Sequence, residues 1–163
     1  MMERSESSDE PKYQLAQGTF SSPAGSKTLT ITGNHVRLGG TQYNNMWNLT
    51  NGTYGTAVHN NQPLWLTVPK NKTATLKISN ITAGGGFTSG ANVAMNFRKA
   101  NSSTSGSFNT GNFKPAQNPD DIVVTKTLGG NEEEGCLFIY MGNTSSGYAE
   151  FDVEFWVGNE RWI

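Results

Sequence analysis

From Glu150 to Val157 the chain alternates without a break. Glu150, Asp152, Glu154 and Trp156 fall on one phase, and Phe151, Val153, Phe155 and Val157 on the other. Successive residues of a strand point to opposite faces, so this run reads as a β-strand with one face in a core and one outside it.

The same period recurs upstream. Thr28 to Thr32 alternates, Gly33-Asn34 follows, and His35 to Leu38 alternates again. Two residues of this type between alternating runs predict a tight hairpin, with Leu29, Ile31, Val36 and Leu38 facing the core. In Leu64 to Val68, residues Leu64, Leu66 and Val68 share a face and Trp65 points the other way. Ala74 to Ile78 puts Leu76 and Ile78 inward and Thr75 and Lys77 outward. Ala91 to Arg98 and Ile122 to Leu128 are strand-like. Cys136 to Met141 is apolar on both phases, the mark of a central strand covered on both sides. Gly158-Asn159 turns the chain into a closing segment, Glu160 to Ile163.

About eight to ten strands result, with no amphipathic helix. Only 34% of the residues are hydrophobic, and 19 are glycine. With abundant Asn, Ser and Thr, such a mixture favours turns and strands over helix interiors. The expectation is an all-β fold, an antiparallel β-sandwich or jelly roll, as a single domain over residues 13–163. Residues 1–12 carry Glu3, Glu6, Asp9 and Glu10 and read as an arm, flexible or docked on a neighbouring subunit. Residues 39–62 and 100–119 read as long loops rich in Asn, Gly and Ser.

Lys and Arg number 12 against 13 Asp and Glu, and they are scattered. Nucleic-acid binding needs a basic stripe that displaces counterions, and none is visible. No stretch is long and apolar enough to insert in a membrane. The start of the chain has no apolar leader segment, so the expectation is folding in a cytosol. The single Cys136 lies in an apolar run and reads as a small buried hydrophobe. Sequons at Asn48, Asn51, Asn71, Asn80, Asn101 and Asn143 are what this composition produces by itself.

Reactive groups are few. His35 sits on the polar phase of its strand, and His59 sits beside Asn60 and Asn61; neither has a metal-ligand neighbour at useful spacing. Asp120-Asp121 and Glu132 to Glu134 match no known calcium loop. Glu150, Asp152 and Glu154 on one regular strand read as a solvated or partner-facing stripe before they read as glycosidase acids. The expectation is therefore no catalytic residue, no metal and no cofactor.

The aromatic residues on polar phases are a stronger pointer. Trp65 and Trp156 fall outward by alternation, and Tyr43, Trp47 and Tyr54 lie in the Asn-rich stretch. Indole and phenol faces stack on the C–H faces of sugars, and the same side chains are enriched at subunit interfaces. These five are the candidate ligand- or partner-binding residues. A second core layer is the other reading.

Three segments carry a resemblance: Leu64 to Ile78 as strand, turn and strand; Phe151 to Val157 as a late strand; and the closing hairpin Gly158 to Ile163. Over residues 60–163 the pattern resembles bacteriophage surface and tail-associated modules of the jelly-roll or carbohydrate-binding-module type. The resemblance implies a non-catalytic structural or adhesion protein of a phage particle, such as a head-surface, fibre or baseplate accessory. Its partners would be other virion subunits in a homo-oligomeric arrangement, with host-surface carbohydrate as a further ligand. It would fold in the host cytoplasm and reside in the virion. The alternative is a free carbohydrate-binding module, extracellular in location.

Overall fold

The computed structural model describes residues 10–22, 27–40, 45–50, 52, 54, 66–68, 71–99, 104–117, 120–130, 133–141 and 146–163. Within them the chain forms strands and no helix. In order these are β1 (Gly18–Ser21), β2 (Lys27–Thr32), β3 (His35–Gly40), β4 (Asn45–Asn48), β5 (Leu66–Val68) and β6 (Thr73–Gly84). There follow β7 (Ala91–Arg98), β8 (Thr104–Asn109), β9 (Ile122–Thr127), β10 (Glu133–Met141), β11 (Tyr148–Val157) and β12 (Glu160–Arg161).

They make two antiparallel sheets packed face to face, a β-sandwich. The larger runs β1-β2-β3-β11-β6-β9, with β12 pairing the far end of β11; the smaller runs β4-β10-β7-β8, with β5 also on β10. The β2–β3 hairpin turns at Gly33-Asn34 with Thr32 opposite His35, and Gly33 takes the positive φ of 63° that such a turn requires.

The core lies between the sheets. Phe151, Val153, Phe155 and Val157 of β11 meet Val93, Met95 and Phe97 of β7 and Leu137 and Ile139 of β10 in one buried cluster. Aromatic edges tie it together: Phe113 meets Phe151 at 5.8 Å, and Phe155 meets Trp162 at 6.2 Å. Burial of this kind contributes roughly 25 cal/mol per Å² of apolar surface and drives the two sheets together.

The chain's closing segment is part of that core. Trp162 and Ile163 are buried, and Phe155 donates its N–H to the Ile163 carbonyl. On its other side this segment holds the end of the expected arm: Lys12 N–H and Tyr13 N–H donate to the carbonyls of Arg161 and Trp162. Lys12 is therefore docked on its own domain. Residues 1–9 lie outside the described residues.

Two expectations fail. The supposed loop 39–62 contains β4, and β3 runs on to Gly40; the supposed loop 100–119 contains β8. β4 begins and ends with Asn, and β8 carries Gly106, Asn109 and two serines, residues with little intrinsic preference for strands. Pairing with the apolar strands β10 and β7 overrides that preference. The strand count consequently exceeds the ten expected at most.

Candidate functional site

The outward face of the larger sheet brings together residues that lie far apart in sequence. The register sets Arg37 opposite Glu150 and His35 opposite Asp152 across β3 and β11. On the other side of β11, Glu150 faces Thr82 and Asp152 faces Ser79 of β6, with a bulge between them. Asn80 occupies that bulge with a positive φ of 53°. A left-handed backbone suits Asn better than most residues, and here it lets Asn80 Nδ2 donate to Asp152 Oδ2 at 2.8 Å.

A continuous network results. His35 Nδ1 contacts Asp152 Oδ1 at 2.7 Å, and His35 Nε2 contacts Glu150 Oε1 at 2.7 Å. Arg37 donates to Glu150 Oε2 at 2.9 Å, and its guanidinium lies 3.8 Å from the centre of the Tyr148 ring. Tyr148 itself lies across Gly84, where a Cβ would come within 2.6 Å of the phenol oxygen. The order is thus Asn80, Asp152, His35, Glu150, Arg37, Tyr148, drawn from β6, β11 and β3.

The electrostatics follow. Bonding to both carboxylates at once is possible only if both ring nitrogens of His35 carry protons. The hydrogen bond to Glu150, then that to Asp152, raises the His35 pKa above 6.5 against the opposing effect of burial. The bond from His35, helped by the charge of Arg37, lowers the Glu150 pKa against desolvation.

Further along the same face, Trp156 is half-buried, and its indole N–H donates to Glu154 Oε1 at 3.1 Å. Its cross-strand neighbours are Thr75 on one side and Arg161 on the other. Beyond β6, Thr125 stands opposite Thr75, and Val123 stands opposite Lys77.

Of the three candidate residues among those described, Trp47, Tyr54 and Trp156, only Trp156 lies on this face. Trp47 is a correction: it is fully buried, on β4 opposite Ile139 of the core. Its bulk completes the interior at the end of the smaller sheet, where Tyr54 meets it edge-on at 5.1 Å and pairs with it in an isolated bridge. Tyr54 is accordingly part-buried against the core. Tyr43 and Trp65 lie outside the described residues, as does His59. Cys136 is buried, and burial pushes its thiol up to about 12.

The acidic turns divide. Asp120 and Asp121 are exposed ahead of β9, whereas Glu134 belongs to β10 and pairs with the buried Arg98 at 2.9 Å. Among the described residues, no group of three or more His, Cys, Asp and Glu side chains is arranged to hold a metal ion. A hollow of about 120 Å³ lies between Tyr13, Leu15, Gly33 and Ile163, mostly apolar in its lining, with Asn34 of its wall directly preceding His35.

Sequence alternation alone does not give the partnership of His35 with Glu150 and Asp152. Alternation placed all three on polar phases, but only the order of strands makes them neighbours. Compared with models of known protein families and with curated protein sequences, the chain matches none.

Proposed function

We propose that this chain is a non-catalytic structural or adhesion protein of a bacteriophage particle, a head-surface, fibre or baseplate accessory. It docks on other virion subunits through the outward face of its larger sheet. One observation carries the reading: the reactive groups on that face are spent on one another. Both nitrogens of His35 are held by carboxylates, whereas a general base needs a lone pair open to its substrate. What remains for a partner is a sheet face with Trp156, Tyr148 and Arg37, side-chain types enriched at interfaces. The strand patterns and closing hairpin described above support the phage assignment.

Mass spectrometry of purified phage particles tests it, together with pull-down of particle subunits by the wild-type chain and by Trp156→Ala. The expected result is the chain's presence in the particle and weaker capture by the variant. A chain never found in a particle, with capture unaffected by the variant, sinks the proposal.

A free carbohydrate-binding module is the second reading. It is favoured by the Trp156 ring lying beside the Thr75 strand position and the Glu154 carboxylate, the ring-plus-acceptor combination that sugars use. Glycan-array binding lost in Trp156→Ala would favour it; silence at about millimolar glycan would remove it.

A further inference from the structure

Strand β9 ends the larger sheet. It pairs with β6, and among the described residues no strand lies beyond it. The ladder specifies which of its backbone groups point away from β6. Leu128 N–H donates to the Lys72 carbonyl at 2.7 Å, and these two residues continue the register in which Thr127 faces Thr73. In an antiparallel pair, hydrogen-bonded and non-hydrogen-bonded positions alternate. Lys126, Val124 and Ile122 therefore bond β6, while Thr127, Thr125 and Val123 turn their N–H and C=O groups to the open edge. Val123 also stands on the outward face, opposite Lys77, and at 56% exposure it is the most conspicuous apolar side chain at the surface of the described residues.

We infer that this edge pairs with the same edge of a second copy of the chain, antiparallel, about a twofold axis normal to the sheet at Val123. Val123 then meets Val123 of the second copy, Ile122 meets Val124, Asp121 meets Thr125, and Asp120 meets Lys126. A twofold normal to the sheet keeps the outward face outward, so every opposed pair shares a face. Positions whose backbone groups point away from β6 meet positions of the same kind, which lets the two ladders join into one sheet.

Charge selects this register over its neighbour. Asp120 and Lys126 are both exposed, and each copy supplies one of each, so both charges are met. Sliding the pair by two residues in either direction breaks both charge pairs: one slide sets Lys126 against Ile122, and the other sets Asp120 against Val124. An exposed edge strand invites unwanted pairing, and a lysine on its buried-side phase deters it. Here Lys126 deters strands that lack an acid opposite, and Asp120 of an identical chain satisfies it. The interface is isologous, as in most homodimers. The inference stands apart from the phage reading, since it concerns the β9 edge and not the Trp156 face.

Sedimentation velocity of the full chain over a wide concentration range tests it. The expected result is a dimer that Val123→Pro converts to monomer. Because the Val123 N–H points away from β6, proline there leaves the native ladder intact, and thermal melting checks that the fold persists. Asp120→Lys should raise the dissociation constant at least about tenfold, and adding Lys126→Asp should restore it. The rescue decides the matter should the proline variant fail to fold. A wild-type chain that stays monomeric throughout overturns the inference. So does a dimer indifferent to Asp120→Lys, which places the interface elsewhere. Neither result touches binding that depends on Trp156.

Discussion

His35 stands directly opposite Asp152 across β3 and β11, with Nδ1 2.7 Å from Oδ1. Its other nitrogen reaches diagonally to Glu150. One imidazolium thus bridges two carboxylates carried by a single strand, which would otherwise repel each other along the face. Arg37 meets the second oxygen of Glu150, so that carboxylate is shared between two cations.

The signs of the shifts set a pH window. The folded pKa of His35 lies above 6.5, so its stabilisation is fully present below that value and is lost as pH rises through the raised pKa. The folded pKa of Glu150 lies below 4.5, so its contribution is present above that value and is lost as pH falls through the lowered one. Stability should be flat between and decline on both sides. The His35 side chain is 41% exposed, so solvent screening keeps the alkaline loss to about 1 kcal/mol or less. Urea midpoints measured from about pH 3 to about pH 9 check both limbs. His35→Gln should abolish the alkaline decline, and an unchanged profile in that variant would show that another group titrates.

Trp47→Ala and Trp156→Ala should behave oppositely. Removing the fully buried Trp47 ring leaves a cavity and should cost about 3–5 kcal/mol. Removing the half-buried Trp156 should cost under about 1 kcal/mol while weakening any binding at that face. Denaturant titration of both variants makes the comparison, and equal losses would mean that the two rings have similar surroundings.

Gly147→Ala should be among the more damaging substitutions outside the core. A Cβ there would lie 2.1 Å from the Gly84 carbonyl oxygen, and the backbone φ is 84°. Neither the backbone contact nor the left-handed conformation tolerates a side chain, and a loss of roughly 2–4 kcal/mol is expected. A melting temperature within about 2 °C of wild type would contradict it.

Cys136 should resist thiol reagents in the native protein. It is buried, and its thiol is held far from ionisation at neutral pH. Labelling by a soluble disulfide reagent should track global unfolding in urea. Rapid labelling without denaturant would mean that the smaller sheet opens locally.

The sequence made the sheets legible and left their assembly obscure. In β11 each second residue is acidic or large and apolar, so strand, phase and buried face could all be read directly. In β4, Asn45 to Asn48 carry no such signal, because Trp47 is the one strongly apolar residue turned to the core and its flanking asparagines resemble a turn. By pattern Trp47 therefore reads as a displayed aromatic, although the core claims it. The His35 network lay hidden for a different reason. More than 110 positions separate His35 from its carboxylates, and alternation tells which way a side chain points without telling which strand lies alongside.

The bulge at Asn80 has a consequence for how β6 can change length. Ser79 and Thr82 face successive outward residues of β11, yet they are three positions apart. Loss of Asn80 alone would restore simple alternation, with Ile81 still inward beside Ile78. Loss of a residue elsewhere within the strand would turn one of its ends inside out. Natural shortening of β6 by a single residue should therefore be accommodated at this position, at the expense of the amide that steadies Asp152.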